Sequence, residues 1–302
     1  MKKTTTAKKT PLKIFDIYRK RVNTRLKNYL SSICSEGHFQ SELKNVMSYS
    51  VLAGGKRFRP ILTYTTAGLY DVDLVKVDAS ACAIELIHIY SLIHDDLPAM
   101  DNDDMRHNQP SSHKTFGEAQ ATLAGDSLQA LALEILSKDE SVEPVIRIEL
   151  LKLLSISAYE MADGQSIDLS IVSKKVDIEF LNNMYKKKTG SLINCAIKFG
   201  ALHNNIDSKD SSILDSYSNN IGLAYQIQDD VLDISSTEEV LGKRQNSDLG
   251  KGKPTYPAIL GLDESIRVYK DLYKEAIDEI SALSINEEPL RKLTEKLMKR
   301  DF

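Results

Sequence analysis

The chain has 302 residues, of which 42% are hydrophobic and 27% charged, a soluble globular mixture long enough for one large domain or two ordinary ones. A net charge of −4 gives no sign of a nucleic-acid-binding protein. Three widely spaced cysteines (Cys34, Cys82, Cys195) argue against a disulfide framework or zinc knuckle, and without an apolar run of about 18 residues no membrane span is expected.

Residues 1–10, MKKTTTAKKT, are basic and threonine-rich and lack the apolar core of a secretory signal. They read as a disordered basic tail before a single domain over 11–302. Cys82 and Cys195 lie in apolar runs and read as buried free thiols, which suits a reducing, cytoplasmic setting. Segments rich in Leu, Ile, Ala, Lys and Glu alternate with short polar joints, and no proline falls between Pro144 and Pro254. That pattern favours helix. The predicted helices cover roughly 12–34, 38–53, 58–70, 76–97, 117–137, 145–163, 177–201, 209–233, 254–262, 264–282 and 286–300. No Asn-Gly pair and no alternating β-branched run marks a hairpin, so the fold class is all-α.

The first chemistry-bearing segment is Gly54-Gly55-Lys56-Arg57-Phe58-Arg59-Pro60. Its glycines permit close backbone approach, and its cations suit phosphate oxygens. Next, Ala79–Ile93 is almost wholly apolar, with Glu85 its only carboxylate, as in a helix buried in a bundle. Directly after it come five carboxylates within ten residues: Asp95, Asp96, Asp101, Asp103 and Asp104. Pro98 disfavours helical geometry at Leu97, and a local bulge there would swing Asp101 back towards Asp95. Crowded carboxylates repel unless cations intervene, and hard oxygen ligands favour magnesium or calcium. Taken alone, this cluster is equally a solvated acidic helix end.

Further along, Lys186-Lys187-Lys188-Thr189-Gly190 supplies more cations. In Gly222–Asp233, the residues Gln226, Asp229, Asp230 and Asp233 fall at i, i+3, i+4 and i+7, on one helix face. Two aspartate-rich helix ends facing each other across a bundle would gather several divalent ions, with substrate phosphates completing the coordination. Ile234–Lys253, the longest irregular stretch, carries Lys243, Arg244, Lys251 and Lys253 and reads as a mobile lid. An EF-hand at Asp101–Asp103 fails because Met105 stands where a ligand belongs, and a Walker A loop at 250–254 fails because Pro254 replaces Ser or Thr.

Together these segments closely resemble the short-chain trans-polyprenyl diphosphate synthases, in particular the bacterial farnesyl diphosphate synthases. The resemblance is carried by GGKRFRP at 54–60, IELIHIYSLIHDDLPAMDNDDMR at 84–106, HKTFGEAQATLAGDSLQAL at 113–131, GQSIDL at 164–169, KKTGSLI at 187–193, GLAYQIQDDVLD at 222–233 and LGKRQNSDLGKGKPTYPAILGL at 241–262. It implies an isoprenoid synthase-type bundle of about ten or more helices around a central cavity, a homodimer, and about three magnesium ions per active site. The implied reaction joins isopentenyl diphosphate to dimethylallyl or geranyl diphosphate, giving mainly farnesyl diphosphate.

By the same resemblance, Asp95 and Asp101 are metal ligands supported by Asp96, and Asp229 is the principal ligand of the second motif with Asp230 and Asp233 around it. Arg106, Lys188 and Lys243 would hold the allylic diphosphate, with Lys253 also in the substrate-binding set. Lys56, Arg59 and His88 would hold isopentenyl diphosphate. Thr189 and Gln226 would flank the developing carbocation. Tyr90, five residues before the first aspartate, would cap the cavity at farnesyl length. One departure stands out: the family's second arginine and its glycine are replaced by His107 and Asn108, which predicts weaker affinity for isopentenyl diphosphate. Rival readings are a geranylgeranyl or longer-chain synthase, a terpene cyclase, and a non-catalytic partner subunit.

Overall fold

The computed structural model describes residues 11–33, 42–204, 206–235 and 252–299. Among these, α1 (Pro11–Ser32), α2 (Glu42–Leu52), α3 (Phe58–Leu69) and α4 (Asp78–Asp95) come first, a short 3-10 turn at Leu74–Val77 leading into α4. Two antiparallel two-residue strands, β1 (Met105–Arg106) and β2 (Gln109–Pro110), follow. Then come α5 (Ser112–Phe116), α6 (Glu118–Ser137), α7 (Pro144–Ser170), α8 (Ile178–Tyr185) and, after a π-helical segment at Lys186–Gly190, α9 (Ser191–Ala201). The chain ends in α10 (Ser208–Ser235), α11 (Tyr256–Leu260), α12 (Leu262–Ile280) and α13 (Glu288–Lys299). The fold is all-α, as the sequence predicts. The basic tail over 1–10, Cys34 and nearly all of the lid, including Lys243, Arg244 and Lys251, lie outside the described residues.

The hydrophobic pattern explains which helices sit inside. In α4 every residue from Ala79 to Ile87 is buried, and Ile89, Tyr90 and Ile93 continue the set. A helix apolar on all sides has to be surrounded, and α4 packs against α1, α2, α3, α6, α7 and α9. Likewise α3 is buried from Phe58 to Ala67. By contrast α12 and α13 bury single stripes, Tyr269–Tyr273–Ala276–Ile280 and Leu290–Leu293–Leu297; α12 packs along α10, and α13 packs on α12, α3 and α1. At the head of α4, Asp78 accepts from Arg21 Nε (2.6 Å) and Nη2 (2.7 Å) and from the Tyr64 hydroxyl (2.8 Å), and it pairs with Arg25. This buried, fully bonded carboxylate pins α1 to the central helix.

Two details differ from the sequence expectation. The helix predicted over 145–163 runs on through Asp163-Gly164 to Ser170, because its apolar periodicity outweighs one glycine. The connection after Asp104 holds the small β-hairpin and α5, both too short to leave a periodic signal.

Candidate active site

The helix α4 delivers the first aspartates. It ends at Asp95, and the turn around Pro98 sends the chain back: the Asp101 N–H donates to the Asp95 carbonyl (2.8 Å) and the Asn102 N–H to the Leu97 carbonyl (3.1 Å). Asn102 adopts a left-handed φ of 51°, tolerable for asparagine. The expected return of Asp101 to Asp95 is therefore present. The Asp95 carboxyl is pushed up to about 6, by burial first and then by Asp101 and Asp96, while Lys188 and Arg106 act the other way. Asp96 is buried and takes the Arg106 guanidinium, Arg106 Nε lying 3.1 Å from Oδ1. Arg106 also reaches Asp103 (3.6 Å).

Between β1 and β2 the hairpin turns on His107 and Asn108, both at positive φ (52° and 61°). A two-residue loop with both residues left-handed is the type I′ geometry that matches strand twist, and asparagine is suited to it. The His107 ring lies against Gly55, where a Cβ would stand 3.4 Å from His107 Cε1. Gly54 and Gly55, at φ 103° and 105°, let the basic loop pass this close. So the hairpin that carries Arg106 also touches the loop that carries Lys56.

Within that loop, Lys56 is exposed and Arg59 is 8% exposed. Arg59 Nε is buried without a hydrogen-bond partner among the described residues. Burial lowers the pKa of its guanidinium, and the charges of Tyr225, Glu85 and Asp229 partly restore it. His88 is held well below the ordinary histidine value by burial, then by Arg59, His107, Arg106 and Arg57. His107 is lowered by desolvation and then by Arg106 and Arg57. Two neutral imidazoles thus stand within a concentration of positive charge, a setting that favours an anionic ligand. The Phe58 and Tyr225 rings stack at 5.3 Å and tie this corner to α10.

The segment with Lys188 and Thr189 is a π-helical bulge. Glycines on both neighbours make room for the wide turn: a Cβ on Gly164 of α7 would stand 2.3 Å from Lys188 N, and one on Gly222 of α10 would stand 3.1 Å from Gly190 Cα. Such bulges are frequent at functional sites. Lys188 Nζ donates to Asp168 (2.8 Å), and the Thr189 hydroxyl donates to Gln226 Oε1 (2.6 Å). Lys253 Nζ bridges Asp101 (2.9 Å) and Asp168 (2.9 Å). Asp168, 5% exposed, is therefore a hub that sequence reasoning missed. The sequence carried no local signal for it, since Asp168 stands in a mixed stretch of α7 with Asp163, Gln165, Ser166 and Ser170.

On α10, Asp229 is partly exposed and its charge acts on Arg59, whereas Asp230 and Asp233 are buried. Asp230 accepts from the Tyr185 hydroxyl (2.5 Å), the Tyr256 N–H (3.1 Å) and the Gln226 amide (3.4 Å). These bonds make it an anchor between α8, α10 and α11. Tyr90 is buried, its ring edge-on to His94 at 5.7 Å, one turn from the aspartates. His94 Nε2 meets the Thr122 carbonyl (3.0 Å), a structural bond that docks α4 on α6.

The residues fit divalent cations on two counts. Asp95 is burdened by neighbouring carboxylates, and the Lys253 ammonium stands between Asp101 and Asp168 as a metal ion would. Among the described residues no three His, Cys, Asp or Glu side chains converge into a complete cage. A site of this kind takes its remaining ligands from elsewhere, as magnesium does from substrate phosphates.

Comparison with known proteins agrees. Residues 40–287 match the family described as "Polyprenyl synthetase". The chain is 38% identical over 290 residues to the farnesyl diphosphate synthase of Escherichia coli (strain K12), covering 93% of this chain and 96% of that protein. It is 41% identical over 257 residues to a geranylgeranyl diphosphate synthase of Cyanophora paradoxa, covering 84% and 86%. The crystal structure of a Helicobacter pylori geranyltransferase complexed with magnesium and isoprenyl diphosphate superposes with a TM-score of 0.85 at 29% identity, covering 98% of each chain.

Proposed function

The chain belongs to the polyprenyl synthetase family, and we propose that it is a farnesyl diphosphate synthase, condensing isopentenyl diphosphate with dimethylallyl or geranyl diphosphate. The observation that supports this reading is the presence of two groups of cations with different surroundings. Arg59, buried and with no Nε partner among the described residues, lies near His88, whereas Lys188 and Lys253 bind the carboxylates Asp101 and Asp168. Two diphosphates need two such sites.

Asp95, Asp101 and Asp229 would hold magnesium, the resemblance implying about three ions, which neutralise charge on the leaving diphosphate when bound. Asp96 holds Arg106, and Asp168 holds Lys188 and Lys253, at the allylic diphosphate; Lys243 joins them in the proposal. The bond from the allylic carbon to oxygen breaks and the diphosphate leaves with the electron pair, stabilised by these preplaced cations. The Thr189–Gln226 pair places its oxygens beside the allylic cation. Lys56, Arg59 and His88, with His107 at the rim, bind isopentenyl diphosphate so that its terminal double bond attacks that cation. A proton then passes to the departed diphosphate. Asp230, bonded by Tyr185, Tyr256 and Gln226, orients this set, and the buried Asp233, one turn further along α10, would add to the metal side.

Tyr90 caps the hydrocarbon cavity in this proposal, and Tyr90→Ala is expected to lengthen the product. Incubation with dimethylallyl diphosphate, isopentenyl diphosphate and magnesium, with products separated by chain length, tests the whole reading. A mainly farnesyl product supports it. A geranylgeranyl or longer product keeps the chemistry, sinks the role of Tyr90, and favours the activity named for the Cyanophora relative. Absence of product from folded protein overturns the assignment.

The finer organisation is also proposed: one domain over 11–302, acting in the cytoplasm as a homodimer. No described helix is long and apolar enough to cross a membrane. Val145, Ile148, Ile156 and Tyr159 of α7 share one face and are 65%, 62%, 49% and 72% exposed. Such an uncovered apolar stripe marks an interaction surface, and with Leu123 and Leu133 of α6 we assign it to the second subunit. Light scattering after gel filtration is expected to give a dimer, and Ile148→Glu with Tyr159→Glu a monomer.

A further inference from the structure

Arg57 lies between two residues assigned to isopentenyl diphosphate, Lys56 and Arg59, yet its own side chain faces inward and is 3% exposed. Its guanidinium donates to Glu85 Oε1 on α4 (2.9 Å), Asn23 Oδ1 on α1 (2.8 Å) and the Val51 carbonyl at the end of α2 (2.5 Å). These bonds sustain a left-handed φ of 52° at Arg57, an uncommon conformation for a side chain of this size. Glu85 is itself 3% exposed and is the only carboxylate between Ala79 and Ile93. One of its oxygens, Oε2, is buried without a hydrogen-bond partner among the described residues. Arg59 Nε has the complementary lack, and the Glu85 charge is felt at Arg59. A buried carboxylate with a spare acceptor thus lies near a buried guanidinium with a spare donor, and the two are not paired.

Building on the reading of Arg59 as an isopentenyl diphosphate ligand, we propose that Arg57 is a positioning residue that engages Glu85 and so keeps Arg59 open to the diphosphate. A carboxylate that paired with Arg59 would cancel the charge the substrate needs and would occupy the bidentate face of the guanidinium. With Arg57 in place the Glu85 charge is met within the protein, and the pocket keeps its positive sign. The only carboxylate of an otherwise apolar stretch of α4 then has a reason to be there: it fixes Arg57, and through Arg57 the turn that leads from Lys56 into Arg59 at the start of α3. The arrangement predicts an interaction between positions 57 and 85 that packing alone does not.

The test is steady-state kinetics of the full chain with each substrate varied in turn. Arg57→Met frees Glu85 to take Arg59, so KM for isopentenyl diphosphate is expected to rise by about tenfold or more while KM for geranyl diphosphate stays within about twofold. Adding Glu85→Gln to that variant removes the competing charge and is expected to bring KM back to within about threefold of the wild type. A double variant as impaired as Arg57→Met alone would show that Arg57 acts by packing only, and an unchanged KM in Arg57→Met would remove any role. Should Arg57→Met not fold, Arg57→Lys and Arg57→Gln serve instead. Lysine keeps the ion pair with Glu85 and should keep KM, glutamine should not, and equal values for the two overturn the proposal. Arg59→Met separates the two levels: if it leaves KM for isopentenyl diphosphate unchanged, the substrate site itself is misassigned. If it raises KM and the position-57 variants behave otherwise than stated, the positioning role alone fails.

Discussion

Replacing Gly164 by alanine should damage the enzyme although it puts a better helix former into the interior of α7. Removing a mid-helix glycine stabilises by about 1 kcal/mol. Against that, the new Cβ would stand 2.3 Å from Lys188 N and 2.6 Å from Lys188 Cα, where ordinary contact begins near 3.4 Å. Both obstructing atoms are backbone, so no side-chain rotation relieves the contact, and either α7 or the π-helical segment has to retreat by about 1 Å. Overpacking of this kind costs about 1–3 kcal/mol, and after the gain in helix propensity the net loss expected is up to about 2 kcal/mol. Thermal unfolding followed by circular dichroism should show a midpoint lower by a few degrees. Turnover should fall much further, by about a hundredfold, because Lys188 and Thr189 move with the segment. Gly125→Ala is the comparison. Its nearest contact would be the His94 ring, 2.1 Å from Nε2, so it should cost the His94–Thr122 bond and some stability without moving the Lys188 segment. An unchanged midpoint together with near-normal turnover in Gly164→Ala would refute the claim that this glycine seats the bulge.

Further outcomes are expected. Arg59→Met should raise KM for isopentenyl diphosphate by about tenfold or more with little change for the allylic substrate, and should stabilise the ligand-free protein, since it deletes a buried guanidinium whose Nε has no partner among the described residues; a less stable variant would contradict this. His88, held below its ordinary value in the folded state, gains its proton on unfolding, so its contribution to stability is present above about pH 6.5 and is lost as pH falls below it, by at most about 1.4 kcal/mol per pH unit. Asp95, raised to about 6, takes up its proton first in the folded state and works in the opposite direction. The decisive quantity is therefore the difference between wild type and His88→Gln, whose acid-side slope in urea titrations from pH 7 to 5.5 should be shallower. Magnesium and a bisphosphonate together should raise the melting temperature more than the sum of either alone, and a simple sum would argue that the carboxylates do not complete their cation sites with phosphonate oxygens.

Much of the architecture was legible because the apolar pattern of α4 is so nearly continuous that only a surrounded helix can accept it. The aspartates that follow it then stood out by contrast, and those of α10 by their i, i+3, i+4, i+7 spacing. Asp101 was placed correctly because Pro98 forces a turn and the crowding of carboxylates gives that turn a purpose. Asp168 was not found, since one carboxylate in a helix has no local signature; its importance arises from Lys188 and Lys253, which lie 20 and 85 residues away. Arg57 was hidden for a related reason. Among three cations in four residues, sequence cannot say which one pairs with Glu85. The role of Asp230 as an anchor depends on Tyr185 and Tyr256, distant in the chain and contributed by different elements.

The ammonium of Lys253, lodged between Asp101 and Asp168, has a consequence for how the site fills. It is a tethered counterion, covalently part of the chain and present at an effective concentration no dissolved salt can match. If Asp101 holds magnesium as proposed, an incoming ion would meet an exchange reaction, not an open seat, and would have to displace an amine that is already there. Free magnesium alone would then be a poor competitor, whereas a diphosphate would offer the displaced ammonium a new partner at the same moment. In that scheme loading would be a concerted swap of partners.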